Sequence, residues 1–123
     1  MTWLLVAAGA AVGAPLRYLV DRWVATRLGP AFPWGTFTVN VAGSAFLGVL
    51  VGLIAAGLLP DHLQLVLVTG FCGALTTYST FSYETVRLAE DGARLIAIAN
   101  VAATLTVGVL AFVAGRGAAA LIW

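Results

Sequence analysis

Charge is the scarcest property of this sequence. Charged residues occupy 9% of its 123 positions, and lysine is absent altogether. A soluble globular domain averages about a quarter charged residues, so this chain lacks the side chains for a solvated surface. It also has no basic tail, and nucleic acid is therefore not an expected partner. Since hydrophobic residues make up 62% of the chain, we expect the lipid bilayer to be its main solvent.

Metal-binding and catalytic signatures are missing as well. The single cysteine, Cys72, cannot form a disulfide within the chain, and no cluster of thiols or imidazoles indicates a metal site. The sequence has no hydrolase or phosphate-loop motif and no pair of carboxylates placed for acid–base chemistry. It therefore predicts a protein that is not an enzyme.

Long apolar stretches are what the chain does contain, and there are four of them. Because about 20 helical residues span a bilayer, we predict one all-α, multi-pass transmembrane domain over 1–123. Its helices are expected at about 3–27, 34–59, 63–89 and 94–121. The connections are short, so consecutive helices run antiparallel. Four helices fill their own centre, and a transport function would therefore require at least a dimer.

Small residues are spaced for close packing in the first two helices. Gly9 and Gly13 form one GxxxG pair, and Gly48 and Gly52 form another. In lipid, such stripes let backbones approach and gain dispersion contacts. They indicate a contact between helices or between subunits, although glycine is also simply common in membrane helices.

The third helix contains an unusual cluster of hydroxyl side chains. Five of them fall within seven positions, namely Thr76, Thr77, Ser79, Thr80 and Ser82. Hydroxyls are costly in hydrocarbon without partners, and Gly70 and Gly73 weaken the helix just before them. We therefore predict a break here, whose freed carbonyls near Gly73 and Thr76 would suit a cation. In the alternative, the helix is continuous and the hydroxyls bond to carbonyls four residues earlier.

Three polar or aromatic features suit a small anion. Tyr78 and Phe81 share a helix face. Their positive ring edges would attract an anion weakly; in the alternative, the two rings only pack against a neighbour. Asn40 is the only amide of the second helix, and its NH2 group can donate to an anion or to another helix. Asn100 and Thr104 share a face of the fourth helix, as a polar track or as partners of each other.

Two charged side chains lie inside the predicted helices. Arg17 is expected to snorkel to the membrane interface, or else to guard an aqueous vestibule. Glu84 follows the hydroxyl cluster, where a structural partner such as a backbone N–H is expected.

Together these residues resemble the Fluc/CrcB family of small fluoride channels. Three motifs carry the resemblance along nearly the whole chain, namely Gly9-x-x-x-Gly13-Ala14-x-x-Arg17-Tyr18, Pro33-x-Gly35-Thr36-x-x-x-Asn40-x-x-Gly43-Ser44 and Gly70-x-Cys72-Gly73-x-x-Thr76-Thr77-Tyr78-Ser79-Thr80-Phe81-Ser82-x-Glu84. The third motif is the most specific. The resemblance implies a dual-topology, antiparallel homodimer in the cell inner (plasma) membrane, with two pores that export cytoplasmic fluoride passively.

The resemblance also implies roles for individual residues. Backbone carbonyls of Gly73 and Thr76 would hold a structural sodium ion at the dimer centre, and Glu84 would be a structural carboxylate. The fluoride pathway would include eight residues, namely Asn40, Tyr78, Phe81, Thr80, Ser79, Thr104, Thr36 and Arg17. Two positions depart from the family pattern: Tyr78 stands where phenylalanine is common, and Asn100 where an aromatic hydroxyl is often found.

Two alternatives remain open from the sequence. A small multidrug or cation–proton exporter also has four helices, but it needs a membrane-embedded carboxylate. The predicted first helix has no glutamate, and Glu84 lies toward a helix end. In addition, arginines flank the first and third loops more than the second, whereas antiparallel insertion needs a near-neutral bias. An oppositely oriented paralogue is thus the alternative to a homodimer.

Overall fold

The protein is a bundle of long helices. The computed structural model describes residues 2–29, 31–76 and 78–122, with the backbone alone for residues 79 and 122. Its helices in this part of the chain are α1 (Thr2–Leu28), α2 (Trp34–Ala55), α3 (61–75), α4 (Tyr78–Glu90) and α5 (Arg94–Ile122). Four spans are long and apolar enough to cross a membrane, with α3 and α4 forming the third. The predicted all-α class and four spans are confirmed.

The third span is interrupted at Thr76. This residue has an extended backbone (φ −79°, ψ 153°), and α-helix resumes at Tyr78. The predicted break therefore lies within the hydroxyl cluster. The alternative of a continuous helix is wrong, although one hydroxyl does bond to a carbonyl four residues earlier, since Thr76 Oγ1 donates to the Cys72 carbonyl oxygen at 2.9 Å. Thr77 lies outside the described residues.

A π-helical segment precedes the break, and the sequence did not predict it. Within α3, short α-helical turns at Asp61–Gln64 and Gly73–Leu75 flank the π-helix Leu65–Cys72. Hydrogen bonds between residues five apart are rare in helices and often mark functional sites. The third span is therefore irregular at Leu65–Cys72 as well as at Thr76.

A glycine cap ends α2 four residues before the predicted boundary at 59. Gly57 adopts the left-handed conformation (φ 73°), which side chains other than glycine rarely tolerate. Its N–H and that of Leu58 donate to carbonyls in the last turn of α2 at 3.0 and 2.9 Å. This pair of hydrogen bonds to the helix end is a Schellman motif, and it ends the helix at Ala55.

Glycines determine how closely α2 packs on α5. A Cβ atom added at Gly48 would overlap the Phe112 carbonyl, and one added at Gly115 would overlap the Ala45 carbonyl. Gly52 likewise faces Ala119, which is fully buried. The two helices thus meet backbone to backbone, at a distance that no larger residue allows.

The same arrangement joins α1 to α3. Added Cβ atoms at Gly9 and Gly13 would overlap the carbonyls of Val66 and Phe71, and Gly70 lies against the carbonyl of Val6. Both predicted GxxxG pairs are therefore contacts between helices within this chain. Gly70, which was predicted to weaken the helix, allows α3 to pack closely against α1.

Candidate functional site

An open groove runs along the surface between α2, both halves of the third span and α5. It has a volume of about 580 Å3. Six of the residues predicted for the site line it, namely Asn40, Gly73, Thr76, Tyr78, Phe81 and Thr104. They come from four helices, so the fold brings together residues that the sequence could only assign to separate faces.

The wall of the groove on α2 is polar. Asn40 and Ser44 are four residues apart and therefore share one helix face. Gly108 of α5 lies opposite, where an added Cβ would come 3.7 Å from Ser44 Oγ. Ser44 was not predicted as a lining residue, although its spacing of four residues from Asn40 indicates that the two share a helix face.

The floor of the groove is the break itself. Thr76 packs its Cγ2 methyl group into the space that the missing side chain of Gly43 leaves on α2. Gly73 is exposed, and an added Cβ there would meet no atom within 4 Å. A helix that ends at Leu75 leaves carbonyls of its last turn without intrahelical amide partners. The absence of a side chain at Gly43 thus allows the break to pack against α2. The backbone oxygens near the break are the candidate ligands for a cation in the groove.

Two aromatic rings stand where α4 begins. The ring centroids of Tyr78 and Phe81 are 6.3 Å apart with an interplanar angle of 47°. Tyr78 is 82% exposed, so its ring is not packed into the core of the bundle. Ring edges on this groove wall can offer a weak positive potential to an anion.

The wall on α5 includes a buried hydrogen-bond network. Asn100 is 1% exposed and donates from Nδ2 to Thr85 Oγ1 at 2.8 Å. Thr104, which lines the groove, donates to Asn100 Oδ1 at 3.3 Å. Asn100 and Thr104 were expected either to form a polar track or to hydrogen-bond to each other. The two do hydrogen-bond to each other, and Thr104 also lines the groove. Thr85 was not recognised as a member of this network from the sequence.

Several predicted pathway residues lie elsewhere. Thr36 is buried at 2% exposure and lies close to the carboxyl group of Glu84. Arg17 and Thr80 are half-buried and are not among the described residues lining the groove. The Ser79 side chain lies outside the described part of the chain. The structure thus separates Thr36, Arg17 and Thr80 from the groove.

Glu84 occupies a second cavity, of about 390 Å3, near the first interhelical loop. Asp21 and Arg87 line it as well. The Asp21 carboxylate lies against Gly35 in the first turn of α2, where the positive end of the helix dipole favours it. Within the described residues, Oε1 of Glu84 is buried without a hydrogen-bond partner. No backbone N–H of the described residues reaches this oxygen, and the expected structural partner of Glu84 stays a prediction.

The chemistry of the groove is that of neutral hydrogen-bond donors beside apolar walls. No acidic or basic side chain is found among its described lining residues. No group of three or more histidine, cysteine, aspartate or glutamate side chains that could hold a metal occurs in 2–29, 31–76 and 78–122. Such a groove has no fixed charge that would trap a small ion.

Comparisons with known proteins agree with the motifs. Residues 4–116 match the family described as "CrcB-like protein, Camphor Resistance (CrcB)". The chain is 56% identical over 123 residues to the "Fluoride-specific ion channel FluC 1" of Streptomyces avermitilis, covering 100% of this chain and 99% of the relative. It is 56% identical over 128 residues to the protein of that name from Frankia casuarinae, with the same coverage.

A relative of lower identity is similar along most of the chain as well. The "Fluoride-specific ion channel FluC 2" of Mycobacterium tuberculosis is 45% identical over 114 residues, covering 93% of this chain and 87% of the relative. These relatives are named as channels and not as enzymes. The resemblance seen in the three motifs is thus confirmed, and the chain belongs to the CrcB family.

Proposed function

We propose that this protein is a fluoride-selective ion channel that lets fluoride leave the cytoplasm passively. The groove that collects Asn40, Tyr78, Phe81 and Thr104 carries the proposal, because it offers donors and ring edges without a charged side chain. The relatives of this chain named as fluoride-specific channels support the choice of ion. Passive export would keep the fluoride concentration in the cell low.

The mechanism follows from the hydration of fluoride. This ion is small and strongly hydrated, so a pathway has to replace its water hydrogen bonds with other donors. The Asn40 amide on α2 and the Thr104 hydroxyl on α5 are such donors in the lining of the groove. Conduction also requires binding that is shallow enough for release, and a groove with no basic side chain among its described lining residues meets this condition.

The functional unit in this proposal is an antiparallel homodimer in the inner (plasma) membrane. The groove is open at the surface of one subunit, and Tyr78 on its rim is 82% exposed. Polar groups in membrane helices face a bundle interior or water rather than lipid. A second copy of the chain would cover the groove, and its twofold symmetry would generate two equivalent pathways.

A structural sodium ion at the dimer centre belongs to the same proposal. Backbone oxygens at an interrupted membrane helix are suitable ligands for sodium, and the carbonyls of Gly73 and Thr76 would hold it. The extended backbone at Thr76 and the exposure of Gly73 fit this role. The ion would supply a fixed positive charge that holds the two breaks together.

A cation–proton exporter is the competing function, and the groove disfavours it. Exchange of protons for a cationic substrate needs a carboxylate in the binding site. Glu84 lies in the separate cavity near the first loop, together with Asp21 and Arg87. No carboxylate is present among the described residues that line the groove.

Fluoride efflux from liposomes tests the proposal. Purified protein is reconstituted with internal potassium fluoride or potassium chloride, and a potassium ionophore balances the charge. We expect rapid release of fluoride, recorded with a fluoride electrode, while chloride is retained. Liposomes without protein are the control. If well-assembled protein released no fluoride, or released chloride equally fast, the proposed function would be wrong.

A further inference from the structure

Asn100 lies between the groove and the body of the bundle. It is the most buried of the described polar side chains, with 1% exposure, and it is not among the described lining residues of the groove. It nevertheless bonds to Thr104, which lines the groove. A fully buried amide beside a conduction pathway calls for a physical account, because its burial is costly unless each of its polar atoms is satisfied.

The direction of each hydrogen bond in this network follows from the number of protons available. The Thr85 hydroxyl has a single proton, which it donates to the Phe81 carbonyl oxygen at 2.8 Å. Its oxygen is therefore an acceptor for Asn100, whose Nδ2 lies 2.8 Å away. This bond fixes the orientation of the amide, and the Asn100 oxygen consequently points toward Thr104.

The weakest bond of the network is the one that involves the groove. Thr104 Oγ1 donates to Asn100 Oδ1 at 3.3 Å, which is long for a hydroxyl donor. A hydroxyl has one proton, so Thr104 cannot donate to Asn100 and to an anion in the groove at the same time. The Asn100 oxygen and a passing anion therefore compete for the same proton.

We propose that Asn100 is a positioning residue that holds the Thr104 hydroxyl proton between ions and takes it back when an ion leaves. This inference rests on the proposed function as a fluoride channel. The buried amide acts only through Thr104 and does not touch the ion. Its effect is to keep binding at Thr104 shallow, because release of the anion is coupled to re-formation of the bond to Asn100.

Replacing Asn100 with leucine tests the proposal by removing the competing acceptor at similar size. Without that acceptor the Thr104 proton stays with the anion, so fluoride binds more tightly and leaves more slowly. One lost hydrogen bond corresponds to about a tenfold change. We expect Asn100→Leu to lower both the maximal fluoride flux and the half-saturating fluoride concentration by about tenfold.

The decisive comparison is made in a Thr104→Val background. If Asn100 acts through the Thr104 hydroxyl, Asn100→Leu changes neither flux nor half-saturating concentration in that background. Thr106→Val, which removes an exposed hydroxyl from the same helix outside the network, should leave both values unchanged. If the leucine variant does not assemble, Asn100→Ala removes the same amide without adding a branched side chain.

Two results would overturn the inference. One is a lower flux with an unchanged half-saturating concentration, which is what a purely structural role of Asn100 produces. The other is an equal effect of the Asn100 substitution with and without the Thr104 hydroxyl. An absence of fluoride flux in the wild-type protein would instead refute the proposed function, so the two failures are distinguishable.

Discussion

Single residues determine the shape and the charge of the groove. Gly43 has no side chain, and the Thr76 methyl group fills the space this leaves. The extended backbone of Thr76 is therefore held in place by a neighbouring helix as well as by its own bond to Cys72. Asn40 lies one turn from Gly43 on the same helix, so the amide donor and the break are positioned by one rigid element.

Asn40→Asp should abolish fluoride conduction. The substitution keeps the size of the side chain and replaces the NH2 donor with a negatively charged oxygen. A carboxylate in a site of low dielectric repels an anion by several kcal/mol, and even about 3 kcal/mol corresponds to more than a hundredfold slower flux. Fluoride efflux from liposomes is the measurement.

The control for this variant is Thr38→Val on the same helix, since Thr38 does not line the groove. We expect that variant to conduct at the wild-type rate. Undiminished flux through Asn40→Asp would remove Asn40 from the pathway.

The sequence predicted the faces of individual helices better than it predicted how they meet. Spacing along one helix places Tyr78 with Phe81, and the structure puts both on the groove. Spacing does not give the rotation of each helix relative to its neighbours. This rotation brings Thr36 close to Glu84 and Asn100 within hydrogen-bond distance of Thr85. Assignments that depend on two helices therefore required the structure.

At the scale of helices, backbone contact between α2 and α5 is the main structural feature of the bundle. In lipid there is no hydrophobic effect between helices, so such contacts rely on dispersion and on close approach. Gly48 and Gly115 provide it from both sides. The GxxxG pattern predicted that α2 makes a close contact, whereas it could not identify α5 as the partner.

Gly115→Ala should destabilise the fold, whereas Gly117→Ala should not. A methyl group at Gly115 would overlap the Ala45 carbonyl, and one at Gly117 would meet no atom within 4 Å. Overpacking of this kind costs about 1–3 kcal/mol. Replacing an exposed helical glycine with alanine instead adds up to about 1 kcal/mol of stability.

Unfolding in detergent micelles, followed by tryptophan fluorescence, gives the comparison. Because both substitutions are in α5 and add the same methyl group, they differ only in what the methyl group meets. Equal stability of the two variants would show that α2 and α5 can separate slightly without cost.

The irregular third span shows a limit of prediction at this scale. Glycines and hydroxyls indicated a break near Thr76, and the break lies there. The segment Leu65–Cys72 is apolar and reads as ordinary membrane helix, yet it is π-helical. This segment packs against α1 through Gly9 and Gly70, and contacts between helices leave no periodic signal in the sequence of one of them.

For the whole molecule, the proposed antiparallel dimer makes a topological prediction. Identical chains that pair in opposite orientations have to insert both ways at similar frequency. We therefore expect a tag added at the C-terminus to be cleaved by external protease in about half of the molecules in sealed vesicles, because a weak arginine bias does not fix orientation. Vesicles opened with detergent, where every tag is accessible, are the control.

A tag that is wholly protected or wholly cleaved in sealed vesicles would show a single orientation. The chain would then need an oppositely oriented paralogue or a different assembly. The measurement is independent of fluoride flux, so it separates the arrangement of the subunits from their activity.

The helices α2 and α5, which pack together through glycines, differ in length, and this difference has a consequence for the surrounding membrane. At 1.5 Å per residue, the 22 residues of α2 span about 33 Å and the 29 residues of α5 about 44 Å. The hydrocarbon core of a bilayer is about 30 Å thick. Since α2 and α5 cannot slide apart, the shorter helix sets the hydrophobic thickness of the pair, and the surplus turns of α5 extend into the headgroups. Lipids with longer acyl chains would therefore create hydrophobic mismatch first at the ends of α2.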